Sequence, residues 1–257
     1  MGNLTDFLLD EEINTVNFRG CIANFCDENT LADEKRWEEL INDKFVFPAV
    51  SLHPRHTHHF TLDTIRVIRY LLGHPKTCAL GEVGLDYSRG QGKFKVVQES
   101  VLQRLLGVAI EFQKPVVLHC RDVDEESKDA EDDCLQIVSE VLPPHWKIHP
   151  HCHTNSWKRA RNWCRRFPNL CIGLTPIVQW DAPGPKEVAR RIPLGCLLLE
   201  TNAPFFKPRW SPRTVEFSNS TDAKLVAHEI ARIIRIQVED VLRECLQNTT
   251  RIYAISM

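Results

Sequence analysis

TCALGEVGLDYSRGQGKFKVVQESVLQRLLGVAIEFQKPVVLHCRD (77–122) reads as strand, helix, strand. TCALGEVGL (77–85) and KPVVLHC (114–120) are short apolar runs, and 94–113 between them is a helical stretch. The same alternation extends outward in both directions. Further strands are expected at VNFRGCIANF (17–26), FVFPAVSLH (45–53), WKIHPHC (146–152), LCIGLTP (170–176) and CLLLETN (196–202). Helices are expected at 30–42, with Thr30 as its cap, and at 61–73, 124–141, 155–167 and 184–191. The 155–167 helix spaces Trp157, Ala160, Cys164 and Phe167 on one face. A helical tail follows, with VAHEIARIIRI and VEDVLRECLQNTTRIYAI. Strand and helix in strict alternation mean an α/β fold with a parallel sheet covered by helices. The chain has no G-x-G-x-x-G or Walker-type loop, the main sign of a nucleotide-binding open sheet. That leaves a TIM-type (β/α)8 barrel as the better fit to 257 residues. Seven strands are counted where a closed barrel needs eight, so the first is absent, truncated or replaced by something from residues 1–16. No linker or shift of composition interrupts the chain, and 1–257 reads as a single barrel domain.

Hydrophobic residues make up 43% and charged residues 26%, enough for a sizeable core and too ordered a composition for a disordered chain. The formal net charge of -2 excludes a carpet of positive charge, so any nucleic-acid contact must be local. No apolar run approaches the ~20 residues that span a bilayer. MGNLTDFLLDEEINTVNFRG (1–20) is acidic and lacks a signal layout. These features predict a soluble intracellular protein, cytoplasmic or nuclear, with no membrane partner, and a monomer is favoured. Ten cysteines without an export signal are expected as reduced thiols, and the absence of any CxxC pair argues against a cysteine-only zinc site.

Ionisable residues fall at strand ends. His53 ends FVFPAVSLH, Glu82 lies in CALGEVGL, His119 ends KPVVLH, His151 ends WKIHPH and Asn202 ends CLLLETN. In a parallel barrel such ends converge on one rim, where catalytic residues collect. Neutral imidazole and carboxylate are ligands for a divalent ion such as Mg²⁺, Mn²⁺ or Zn²⁺. Such an ion polarises a phosphoryl or carbonyl oxygen.

GEVGLDY (81–87), PVVLHCRD (115–122), H-C-x-T (151–154), ETNAPF (200–205) and N-T-x-R-x-Y (248–253) together resemble the TatD-type metal-dependent deoxyribonucleases. The resemblance implies a TIM-type barrel of the amidohydrolase class and metal-dependent hydrolysis of DNA or RNA phosphodiesters, exonuclease-like. It makes Glu82, His119 and His151 metal ligands and places His53 beside the scissile phosphate. Arg121 suits a phosphate contact or a structural carboxylate such as Asp122 or Asp86. Asp86 is expected to fix the loop after its strand, and Tyr87 to pack at the rim.

The sequence departs from that family in two important places. Its N-terminal histidine-x-histidine pair is absent, and Asn3-Leu4-Thr5 stands near that position. The family's E-T-D-A-P aspartate, which binds metal or activates water, is Asn202, whose amide cannot accept a proton as a general base. Asn202 is therefore a catalytic position of altered chemistry. In HCHTN (151–155) the family's phenylalanine and glycine are His153 and Asn155; His153 reads as an extra ligand or, the better fit, a surface loop residue, and Asn155 is expected to tolerate the left-handed turn. His56, His58 and His59 read as an exposed loop.

NSWKRARNWCRR (155–166) has five basic residues, no acid and two tryptophans, Trp157 and Trp163, and reads either as a phosphate-facing or as an ordinary amphipathic helix. FFKPRWSPR (205–213) offers Phe205, Phe206 and Trp210 for base stacking or for covering the rim. The function expected is metal-dependent nuclease action. The alternative is a catalytically impaired barrel that binds nucleic acid or a protein partner, favoured by Asn202 and the missing histidine pair. A C–N bond amidohydrolase comes third, without its usual carbamylated-lysine or zinc-ligand markers.

Overall fold

The computed structural model describes residues 18–123, 129–209 and 216–256, which divide between Pro143 and Pro144 into two compact units. Asn3-Leu4-Thr5 and any strand in 1–16 lie outside the described residues, as do 124–128 of the acidic stretch and Trp210.

In the first unit β1 (Cys21–Phe25), β2 (Val46–Val50), β3 (Ala79–Asp86) and β4 (Val116–Arg121) lie side by side in that order, each parallel to the next. Every residue of β3 is buried, as expected of a central parallel strand covered on both faces. Its register with β4 shifts between Leu80 and Val83 before settling into Val83↔Leu118 and Gly84↔His119. Two glycines permit the approach. A Cβ on Gly81 would lie 2.4 Å from Val117 Cβ, and one on Gly84, whose φ is +150°, would lie 2.0 Å from the His119 carbonyl oxygen. The G-E-V-G motif is thus a packing requirement that seats Glu82 against the strand carrying His119.

Helices close this unit where polar caps stop and start them. α1 (Glu28–Leu31) begins at Asp27 and α2 (Glu34–Asn42) at Asp33, whose carboxylate accepts the Arg36 N–H at 3.0 Å. Thr30 is therefore not the cap expected for 30–42. It sits inside a one-turn helix and donates its hydroxyl back to the Asp27 carbonyl at 2.9 Å, and a carboxylate takes the capping place. α3 (Leu62–Leu72) starts at a Thr61–Thr64 capping box and buries Ile68, Leu71 and Leu72. α4 (Lys95–Phe112) buries Val101, Leu102, Leu105, Leu106 and Ala109 and ends where Gln113 turns left-handed. α5 (Asp129–Val141) buries Cys134, Ile137 and Val138.

The second unit holds β5 (Ile148–Pro150), β6 (Ile172–Leu174) and β7 (Leu197–Leu199). β6 and β7 pair in parallel, and hydrogen bonds from Cys171 N–H to Ile148 C=O and from His153 N–H to Gly173 C=O, both 3.0 Å, tie β5 to β6. Its helices are α6 (Trp157–Arg166), α7 (Pro183–Arg191), α8 (Ala223–Ile234) and α9 (Val238–Tyr253). The buried stripe of α6 is Ala160, Trp163 and Phe167, with Trp157 and Cys164 only half-buried, a rotation of the expected face. All ten cysteines are free thiols, and no described helix is long and apolar enough to cross a membrane.

Substituting Gly84→Ala is expected to cost about 3 kcal/mol, since overpacking and backbone strain each cost of order 1–3. Gly107 is exposed in the middle of α4, and a Cβ there would meet nothing within 4 Å. Its substitution by alanine is expected instead to gain roughly 0.5–1 kcal/mol. Urea denaturation midpoints of the two variants check both signs.

Candidate metal centre

In the first unit the ends of β1, β2, β3 and β4 bring four polar side chains together. Asn24 on β1 donates its amide N–H to Glu82 Oε1 at 2.7 Å. The second carboxylate oxygen, Oε2, lies 3.4 Å from His119 Nδ1 and 3.9 Å from His53 Nε2. His53, Glu82 and His119 each offer a ligand atom within 4.8 Å of the others, a set able to hold a metal ion.

Hydrogen bonding assigns the two imidazoles different tasks. His119 Nε2 is 3.2 Å from Asp86 Oδ2, so its proton belongs there and the lone pair of Nδ1 is directed at Glu82. A carboxylate behind the far nitrogen of a ligating histidine is a common way to fix its tautomer and raise its basicity. His53 is bonded the other way round: its Nδ1 accepts the backbone N–H of Arg55 at 3.2 Å, which leaves the proton on Nε2. Burial, the largest cause, and the neighbouring His119 lower the His53 pKa to about 3, so the ring is neutral. His53 thus presents a donor, where His119 presents a lone pair.

Asp86 holds this arrangement and is fully buried. It accepts Arg55 Nε at 2.7 Å, and the Ser88 N–H and hydroxyl at 3.0 and 2.6 Å. Burial alone would raise its pKa, but the hydrogen bond of His119, with Ser88 and Arg55, holds it well below the carboxylate range. Asp86 fixes the loop after β3, as expected, and the guanidinium on it is that of Arg55 rather than Arg121. Arg121 lies half-buried at the end of β4. Tyr87 is buried, with its hydroxyl 2.9 Å from Asp133 Oδ2 and Lys95 over its ring.

The donor set fits a divalent ion on two counts. Neutral imidazole beside carboxylate is a hard-to-borderline ligand set. In addition, Asn24 Oδ1 is buried beside Glu82 without a hydrogen-bond partner among the described residues, a carbonyl oxygen that lacks a donor or a cation.

The second unit carries its own network. Glu200, just after β7, has His149 Nε2 2.6 Å from Oε1; it bonds His151 Nδ1 at 2.8 Å through the same oxygen and accepts the Cys152 N–H at 2.7 Å on Oε2. The Tyr253 hydroxyl, at the end of α9, bonds His149 Nδ1. Burial acts to raise the Glu200 pKa, but the two imidazoles, first His151 and then His149, hold it well below the usual range. His151 Nε2 lies 3.0 Å from Asn202 Oδ1. A lone pair opposite a carbonyl oxygen at that distance suits two ligands of one cation, or an amide turned so that Nδ2 donates. Asn202 takes a left-handed φ of 54°, which asparagine and aspartate tolerate.

The structure thus groups His53, Glu82 and His119 in one unit and His151 and Asn202 in the other. Asn24 and Arg55 escape sequence reasoning because nothing in their local runs separates them from packing residues, and Tyr253 entered it only as the end of N-T-x-R-x-Y, with no role at the site. Glu200 had a signal, since it stands two positions before Asn202. Two expectations are corrected. His153 is buried rather than on a surface loop, because its N–H still pairs with β6; and the left-handed residue of the turn is Cys152 (φ 46°), not Asn155. Trp163 is 1% exposed and unavailable for stacking, whereas Phe205 is 66% exposed and Phe206 meets Trp180 edge-on. His56 and His59 pair with Asp27 and Glu28 at the surface, and His58 stacks on Phe94.

The model of the family described as TatD-related DNase matches residues 3–254. The human protein named 3'-5' RNA nuclease TATDN2 is 35% identical over 243 residues, which are 93% of this chain but 30% of that protein, so this chain spans under a third of its length. The Bacillus subtilis protein described as the metal-dependent hydrolase YabD is 29% identical over 85% of this chain and 82% of its own. Among solved structures, the TatD homologue YJJV of Escherichia coli superposes with a TM-score of 0.79 at 20% identity, covering 93% of this chain and 87% of that one. A TatD family hydrolase from Entamoeba histolytica gives 0.76 at 19%, over 91% and 84%. These likenesses give the fold class, an α/β TIM-type barrel, and the family match over almost every residue goes further: the chain belongs to the TatD-related DNase family.

Proposed function

We propose that this protein is a metal-dependent phosphodiesterase that trims the ends of RNA or single-stranded DNA, working as one barrel domain over 1–257. The observation that carries the reading is the convergence of His53, Glu82 and His119 within ligand distance, with opposite ring nitrogens of the two imidazoles taken up by Asp86 and the Arg55 N–H. Glu82 and His119 hold a divalent ion, Mg²⁺, Mn²⁺ or Zn²⁺. In the second unit His151 offers an imidazole nitrogen and Asn202 a carbonyl oxygen to a cation. Bound metal supplies Lewis acidity to a phosphoryl oxygen and lowers the pKa of water.

The chain's own residues do the rest. His53 donates Nε2–H to a phosphate oxygen; its pKa of about 3 keeps it a neutral donor throughout the neutral range. Arg121, two residues beyond His119, provides a guanidinium for the phosphate. Asn24 holds Glu82 in place through Oε1. The names of the relatives, a 3'-5' RNA nuclease in human and a 3'-5' ssDNA/RNA exonuclease in Erwinia amylovora, support a single-stranded substrate and 3' end polarity. Ten free cysteines support an intracellular protein, cytoplasmic or nuclear.

One observation favours a second reading, a barrel that binds nucleic acid or a protein without cutting. Asn202 cannot take a proton, and it removes one negative charge from a place where hard cations favour charged oxygens.

Incubation of a 5'-labelled single-stranded RNA with the protein and Mn²⁺ is expected to give 3' shortening. Glu82→Gln is expected to lower the rate by roughly 10²-fold or more, in keeping with loss of a metal ligand, with an unchanged melting temperature. Full activity in that variant would remove the site from this cluster. Asn202→Asp is expected to tighten Mn²⁺ binding about tenfold by titration calorimetry, the scale of an added charged ligand. If the wild type is inert and Asn202→Asp cuts, the second reading holds.

A further inference from the structure

We infer that Phe205 and Phe217 are stacking platforms for unpaired bases of a single-stranded RNA or DNA, held at the end of β7 beside Asn202. The inference rests on the substrate class proposed above and deepens it, by naming residues that take the bases.

Folding gains nothing from an apolar ring left in water, and a single exposed phenylalanine is ordinary. Here two stand on adjoining segments. Phe205 is 66% exposed and Phe217 63%, and the Ser218 N–H donates to the Pro204 carbonyl at 3.1 Å, tying the two stretches together.

The segment that carries Phe205 is fixed at several points. The Phe205 N–H donates to the Asn202 carbonyl at 2.9 Å and closes a turn directly after the residue that faces His151. Phe206 takes a left-handed φ of 56° and meets Trp180 edge-on, with ring centroids 5.7 Å apart. The Arg209 N–H donates to Gln179 Oε1 at 2.9 Å, and Gln179 Nε2 donates to the Leu225 carbonyl of α8 at 3.0 Å. On the other segment the Ser218 hydroxyl and the Asn219 N–H donate to Asp222 Oδ2, at 3.3 and 2.9 Å, where α8 begins. Phe206 is therefore the ring that covers the rim, and Phe205 the ring presented to solvent. A ring on a fixed backbone loses little further freedom when a base settles on it.

The charge around the rings suits a polyanion. Arg209 is exposed and Lys207 half-buried on the Phe205 segment, and Lys158 is exposed in the first turn of α6, which follows the His151 turn. Among the described residues of 203–209 and 216–219, Glu216 is the one acid. A protein partner's apolar face does not call for this basic setting, whereas backbone phosphates do. Every base has π-faces for such rings, and in a duplex its neighbours already cover them. Phe205 and Phe217 thus favour unpaired strands with little regard for sequence.

The test is binding of a short 5'-labelled single-stranded RNA to the full chain without metal, read by fluorescence anisotropy, so that no cleavage intervenes. Phe205→Ala and Phe217→Ala are each expected to raise Kd by roughly fivefold or more, the low end of what one stacked base contributes. Phe205→Trp is expected to bind at least as tightly as the wild type. Both rings are exposed, so the melting temperatures are expected to stay unchanged. A matched strand of abasic nucleotides keeps the phosphates and lacks the faces, and is expected to bind wild type and variants alike. An unchanged Kd in one alanine variant removes that ring, and in both it overturns the inference. Equal losses on the abasic strand, or a wild type that binds no RNA, also overturn it. So does a wild type that self-associates in size-exclusion chromatography and becomes monomeric in Phe205→Ala, which marks a protein interface. A wild type that binds RNA through these rings yet cuts none with Mn²⁺ sinks the proposed function and leaves the platforms standing. Cutting by a wild type whose alanine variants bind undiminished does the reverse.

Discussion

The closeness of β3 and β4 is the constraint on which the candidate metal centre depends. Gly84 lies so near the His119 carbonyl oxygen that a methyl group there would sit 2.0 Å from it, and Gly81 is pressed as tightly on Val117. Strands held at this separation, with a register shift between Leu80 and Val83, bring a carboxylate and an imidazole from different strands within ligand distance. Any larger residue would push apart the very atoms that have to converge. The glycines flanking Glu82 therefore serve the chemistry through backbone geometry.

Each unit is organised around a buried carboxylate whose task is to hold imidazoles. Asp86 anchors His119 and Arg55, and Glu200 anchors His149 and His151. Both stay ionised because their histidine partners, joined at Asp86 by Ser88 and the Arg55 guanidinium, outweigh the burial that would neutralise them. A histidine whose far nitrogen is occupied has one lone pair in one direction. Such a ring is ready to bind a cation without first losing rotamer or tautomer freedom. His53 is the instructive contrast, since the Arg55 N–H takes its Nδ1 and turns it into a donor.

Much of this is legible in the sequence. The seven described strands overlap the seven expected runs, with β3 and β4 each ending one residue beyond, because short apolar stretches between helical ones have no other economical pairing. The residues at strand ends stand out because ionisable groups are rare there without a reason. Local capping is less legible: Thr30 and Asp33 are both good caps, and which one starts the helix depends on the turn between them. His153 reads as a surface residue because a loop-like composition, HCHTN, hides a backbone bond to Gly173. The stripe of α6 is rotated by about one position, with Trp163 buried and Trp157 only half-buried.

By itself the sequence determined the alternation, the parallel sheet and the chemical character of the strand-end residues, since these follow from local periodicity and residue type, and its motifs carried the resemblance to the family. Only the tertiary structure decided the roles of individual nitrogens and oxygens. Asn24, Arg55 and Tyr253 lie 58, 31 and 104 residues from the groups they hold, and no local pattern records a bond between such distant positions. Proton placement on His53, His119 and His151 likewise depends on which distant donor or acceptor faces each ring, a property of the folded chain alone.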